Sequence, residues 1–157
     1  GLFVSLLTSS FEDVILNLTT IVFFQSLILG MAGNTGTQSL AVTISTLNDE
    51  EVGIDIESLD RDFAVVEKKA LSEEEIDDLD DDKRNEQLAI YWCAKEAIYK
   101  RMSQNRVIYA EQIEVEKFNV RKEGELEATF IHKDEHEEEF ELEYMIFDRH
   151  VLVWLVG

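Results

Sequence analysis

The chain has 157 residues, with 34 Asp and Glu against 14 Lys and Arg, a net charge of −20, one cysteine and no proline. That sign of charge argues against a nucleic-acid partner, because phosphate-backbone recognition needs a basic footprint. The lone Cys93 excludes an internal disulfide and a cysteine-based zinc site, and makes a reducing compartment the default for the polar part.

The charge is unevenly spread. Residues 1–48 carry Glu12 and Asp13 and no Lys or Arg, so −18 falls on residues 49–157. Such a shift marks a domain boundary. Within the apolar part, "VILNLTTIVFFQSLILGMA" (14–32) is long enough for a membrane-spanning helix, which takes about 20 residues. A signal peptide fits less well, since no basic stretch precedes the run and the run is too long. The competing reading is a buried core helix, but an acidic domain of this size has no second apolar layer to wrap one. No Lys or Arg flanks the segment to set its orientation. Gly30, Gly33 and Gly36 follow at intervals of three, with Asn34, Thr37 and Gln38 among them, a bare stripe with polar groups at membrane depth. The residues "LTSSFEDVILNLTTIVFFQSLILGMAGNTGTQSLAV", and "GMAGNTGTQS" above all, resemble part of the transmembrane domain of the MgtE-type magnesium transporters. That family forms its pore from five helices per subunit in a dimer, so residues 1 to about 44 would supply only the tail of one helix and most of the next. The chain opens at Gly1 inside an apolar run, without Met, and a fragment is expected.

Past a junction at 45–49 the periodicity changes. "EEVGIDIE" alternates as a strand, in which Val52, Ile54 and Ile56 point one way and Asp55 and Glu57 the other, with the two carboxylates roughly 7 Å apart. Residues 60–81 read as two short helices, with Ser72 as N-cap and Glu75 as its reciprocal partner. "KRNEQLAIYWCAKEAIYKRMSQ" (83–104) has helical apolar spacing. Alternating runs at 113–121, 125–132, 138–147 and 150–156, with turns at "KEG", "KDEHEE" and "DR", predict an antiparallel meander. One strand, a helical insert and a meander with a helix packed on it make an α+β domain over residues 50–157.

On the long helix, Trp92, Glu96 and Lys100 fall at i, i+4 and i+8, along one face, with Lys95 beside Glu96. Alone, this is a solvated Glu–Lys pair worth about 0.3–0.5 kcal/mol. Packed over the first strand, Glu96 joins Asp55 and Glu57 in a three-carboxylate set that needs a cation or protons to neutralise it. Magnesium suits oxygen ligands and shares them with substrate phosphates, and Lys95 and Lys100 would neutralise phosphate oxygens left exposed.

"VGIDIE" followed by "WCAKEAIYK" resembles the 4′-phosphopantetheinyl transferases, whose pattern is a G-[IV]-D strand and a W-x-x-K-E-[AS]-x-x-K helix. The matching residues are Gly53, Ile54, Asp55 and Glu57, then Trp92, Lys95, Glu96, Ala97 and Lys100. "LSEEE" (71–75), "FNVRKEGELEATF" and "DRHVLVWLV" add to the likeness, which covers residues 50–157. The resemblance implies transfer of the phosphopantetheine arm of coenzyme A to a serine of an acyl or peptidyl carrier protein. Asp55, Glu57 and Glu96 would hold Mg2+ with the diphosphate, Glu96 would help, directly or through water, to deprotonate the serine, and Lys100 with Lys95 would steady the transferring group. Trp92 reads as a core anchor of the helix. It also implies a cytoplasmic transferase-like part, with the whole chain membrane-associated where residues 1–44 belong to it.

Two departures stand out. The surfactin-synthetase-type enzymes are two pseudo-repeated halves, the first carrying basic nucleotide-binding residues, and here a transporter-like segment stands in that place. The smaller bacterial branch builds its site between identical single-half subunits, so a homo-oligomer is one way to complete a cleft. Carrier proteins are themselves acidic, and a −18 domain repels them unless residues such as Lys83, Arg84, Arg101 and Arg106 cluster. The alternative reading is a membrane fragment of a magnesium transporter with the acidic domain an inactive passenger. His132 and His136 lack a third ligand at clear spacing, residues 73–83 lack the glycine and ligand order of a calcium loop, and Cys93 has no paired histidine.

Overall fold

The computed structural model describes residues 53–156, which form in chain order β1 (Ile54–Ser58), α1 (Ala64–Ala70), α2 (Glu73–Asp77), a 3-10 turn (Asp81–Lys83), α3 (Arg84–Met102), α4 (Tyr109–Gln112), β2 (Ile113–Val115), β3 (Glu123–Ile131), β4 (Glu137–Phe147) and β5 (His150–Leu155). The expected membrane helix at 14–32, the transporter-like residues 1–44 and the junction at 45–49 lie outside the described residues. Among the described residues no helix is long and apolar enough to cross a membrane.

The strands make one antiparallel sheet in the order β1-β5-β4-β3-β2, so the first and last strands of the chain pair at one end. The α+β architecture expected from the periodicity is what forms. Alternation sends Leu126, Ala128, Phe130, Leu142, Tyr144, Val151 and Val153 to one face, where they share a buried cluster with Leu88, Ala89, Cys93, Ala94, Ala97 and Ile98 of α3. Each large apolar side chain buried there contributes about 1.5–3 kcal/mol. The alanines keep the helix close to the sheet, because they add little thickness between the two layers.

Local signals hold at several ends. Ser72 Oγ accepts from Glu75 N at 3.2 Å and Glu75 Oε2 accepts from Ser72 N at 2.8 Å, the reciprocal cap expected for α2. β4 and β5 are joined by Asp148 and Arg149, with φ of 42° and 58°, the backbone required of a tight two-residue hairpin.

The strand expected over 113–121 ends at Val115, and the preceding four-residue helix α4 was not foreseen. Aromatic packing overrides the alternation there. The Phe118 ring lies 4.9 Å from Tyr91 and 6.1 Å from Tyr144. The Tyr144 hydroxyl accepts from Arg121 N at 3.0 Å and donates to Asn119 O at 3.3 Å, turning the chain away from the sheet.

The sheet face opposite the core carries a ladder of like charges. Glu125 stands directly across from Glu143 and Glu127 from Glu141, each pair on adjacent strands. Cross-strand pairs of like charge are destabilising, and water and salt screen them only in part. Replacing Glu141 by Lys turns one rung into an attractive pair. The expected outcome is a gain of about 0.2–1 kcal/mol, read as a higher urea midpoint at unchanged slope, with the gain shrinking at high salt.

Candidate active site

β1 is seated against α3 through a glycine. A Cβ on Gly53 would lie 2.7 Å from the Ala97 carbonyl oxygen and 2.1 Å from Leu155 Cδ1. Only a residue without a side chain lets the strand lie this close to the helix backbone. That approach brings the Gly53-Ile54-Asp55 strand under the Lys95–Lys100 segment and makes one site of two distant motifs.

Asp55 and Glu57 point to the covered face, the side of their cross-strand partners Val153 and Val151 in the core. Each expected site residue on that side has a definite partner. Lys100 Nζ donates to Asp55 Oδ1 at 2.7 Å and to Ile54 O at 3.1 Å. Glu57 Oε1 accepts from Trp92 Nε1 at 3.0 Å and from Arg61 at 3.2 Å. Glu96 Oε1 accepts from the Tyr109 hydroxyl at 2.8 Å. The Trp92 and Tyr109 rings, 5.7 Å apart, therefore hold one glutamate each. Trp92 does more than anchor the helix, and Tyr109, on the unforeseen α4, carried no recognisable signal in its own stretch of sequence.

Asp55 is the strained member. Burial raises its pKa from the ordinary 3.8 to about 6; Lys100 opposes the rise, and the charges of Glu57 and Glu96 add to it. Among the described residues its buried Oδ2 atom has no nitrogen or oxygen hydrogen-bond partner, and the Cys93 thiol is the other group that bears on this carboxylate. Beneath it, burial pushes the Cys93 thiol well up, with Asp55 and Glu57 adding to the effect, so Cys93 stays a protonated core residue.

Lys95 stands apart from this group. Its side chain is 0% exposed, and Nζ donates to Ala70 O at 2.7 Å, Glu75 Oε2 at 2.6 Å, Tyr109 O at 3.2 Å and Ile113 O at 2.6 Å. Burial lowers its pKa and Glu75 opposes the fall. Position 95 is rotated about 100° from Glu96 around the helix, which turns it into the domain. An ammonium enclosed in this way does not reach a phosphate, so the cofactor contact expected of Lys95 has no geometric support, and its role is to fix the elements around it. His132 sits in the β3–β4 hairpin, 3.2 Å from both Gln104 and Glu138.

The donor chemistry of Asp55, Glu57 and Glu96 suits magnesium, since all three offer carboxylate oxygens. Among the described residues, however, no three acidic, His or Cys side chains converge as they stand into a group that could hold a metal ion. Trp92, Arg61 and Tyr109 hold the two glutamates in place, and Lys100 occupies Asp55.

A fold with this strand–helix carboxylate and lysine pairing defines a class, and comparison with known families agrees. The family model of the 4′-phosphopantetheinyl transferase superfamily matches residues 51–152, and the chain belongs to that superfamily. A separate similarity, 46% identity over 52 residues, is to the magnesium transporter MgtE of Bacillus subtilis (strain 168); it takes in 33% of this chain and 12% of the transporter. The chain thus spans a small part of the length of that curated relative.

Two stability measurements check these assignments. Lys95→Ala leaves Glu75 buried without its cation, and a loss of about 3–5 kcal/mol is expected in urea unfolding; Lys100→Ala is expected to cost less, because Asp55, already raised to about 6, can take a proton in place of the lost ammonium. Asp55, held above its ordinary value when folded, binds its proton more tightly folded than unfolded. Its contribution is therefore fully present below pH 3.8 and lost as the pH rises toward 6. Relative to Asp55→Asn, the parent chain is expected to lose about 2–3 kcal/mol across that window.

Proposed function

We propose that residues 50–157 transfer the 4′-phosphopantetheine group of coenzyme A to a serine of an acyl or peptidyl carrier protein, with Mg2+ as cofactor. The observation that carries this reading is the Lys100–Asp55 pair, which joins the strand and helix motifs of the matched family at one place. Asp55, Glu57 and Glu96 would hold the cation, which when bound supplies positive charge to the diphosphate. Glu96 is the base: with one oxygen held by Tyr109, its carboxylate is oriented to take the serine proton. The serine oxygen forms a bond to the β-phosphorus, the diphosphate P–O bond breaks, and 3′,5′-ADP leaves with the electron pair. Lys100, on a flexible stem, offsets the charge on the transferring group. Lys95 acts at a distance, holding the Tyr109 backbone that in turn sets Glu96.

Self-association is our proposal for completing the coenzyme cleft. The buried free thiol of Cys93 suits a reducing compartment, and we place this part in the cytoplasm. The similarity to a magnesium transporter supports a second reading for residues 1–44, as a membrane segment crossing at 14–32, joined at 45–49 to the transferase-like part. Transport by this chain is not proposed, because the similarity takes in so little of the transporter.

The test is the intact mass of an apo carrier protein incubated with the chain, coenzyme A and Mg2+. A gain of one phosphopantetheine arm is expected, abolished without Mg2+ and slowed about 100- to 10,000-fold by Glu96→Ala. No gain from a folded chain would remove the transferase reading.

A further inference from the structure

We propose that Lys100 is the resident counter-cation of Asp55, and that a divalent cation enters the site only by displacing it. The inference rests on the metal assignment above but goes beyond it, because it sets the order of events at one carboxylate.

The two oxygens of Asp55 are not equivalent. Oδ2 is buried and, among the described residues, has no nitrogen or oxygen partner, while the Asp55 side chain as a whole is 12% exposed, so the approach from solvent leads to Oδ1. That is the oxygen Lys100 holds, at 2.7 Å. A magnesium ion sits about 2.0–2.1 Å from a ligand oxygen and keeps several waters, so it needs the space the ammonium fills. Two cations on one carboxylate oxygen also repel each other at short range. One of them has to leave, and Lys100 is built to do so. Its side chain is 31% exposed, and its other partner among the described residues is the carbonyl of Ile54. Lys95, enclosed by four acceptors, has no such freedom.

Displacement has a consequence for substrate. The charge that neutralises Asp55 in the free protein is released toward solvent when the dication arrives. A diphosphate brought by that cation meets an ammonium that has just lost its carboxylate. Cation entry and presentation of Lys100 to phosphate are then a single exchange, and the free protein avoids holding three uncompensated carboxylates together.

The experiment is a calorimetric titration of Mg2+, without coenzyme A, into the full chain in neutral detergent, for the parent, Lys100→Met, Lys100→Arg and Asp55→Asn. Removing the competitor is expected to tighten Mg2+ binding roughly 2- to 5-fold in Lys100→Met, the size of a part-exposed ion pair, with Lys100→Arg close to the parent. Asp55→Asn is expected to lose the binding. In the unsubstituted chain, the Lys100 ammonium proton signal in 15N NMR, protected by Asp55, is expected to vanish into solvent exchange at saturating Mg2+. That reading does not depend on any variant folding. Unchanged or weaker binding in Lys100→Met, or an ammonium signal that persists at saturation, would overturn the displacement while leaving the proposed transferase intact. Binding that survives Asp55→Asn, or no binding in any form, would overturn both the displacement and the metal assignment.

Discussion

A single buried ammonium ties the helical insert to the sheet. Lys95 Nζ collects the last carbonyl of α1, the carboxylate of Glu75 on α2, the first carbonyl of α4 and the carbonyl that opens β2. Glu75 is itself shared, taking the Ser72 amide of its own cap and the Val115 amide on β2. Four short elements, none able to hold a fixed position alone, are thereby referred to one point on α3. Burying a charge is costly, and the cost is met only because every proton finds an acceptor. The same contact with Tyr109 leads to Glu96, so the arrangement that organises the fold also sets a site carboxylate.

The site depends on a second constraint, the closeness of β1 to α3. Gly53 and Ala97 together remove the side-chain layer that normally separates a strand from a helix. Asp55 is forced under the helix, where burial raises its pKa and leaves one oxygen unsatisfied. A carboxylate kept at such a place, beside two glutamates each steadied by an aromatic donor, has the character of a site in which stability is given up for charge.

Acidity elsewhere has a different meaning. Glu125 and Glu127 of β3 stand opposite Glu143 and Glu141 of β4 on the face away from the core. They keep the sheet face wet and resist edge-to-edge or face-to-face association through repulsion. The two kinds of carboxylate differ by burial and partners, which composition alone does not separate.

Periodicity was sufficient for much of this. Strict alternation defines β3 and β4, helical spacing defines α3, and Ser72 with Glu75 marks the start of α2, because these signals are local and agree with one another. The Trp92–Glu96–Lys100 line and the strand carboxylates were likewise legible, since helix and strand geometry fix which side chains share a face. Tertiary structure decided the rest. It ended β2 at Val115, where Phe118 and the Tyr144 hydroxyl offer the backbone a better set of contacts than the sheet does. It brought Tyr109 to Glu96 across 13 residues. It also separated two lysines of one motif, sending Lys95 into the interior and leaving Lys100 at the carboxylates. Rotation about a helix is written in the sequence, but what packs on each side of that helix is settled only when distant segments meet.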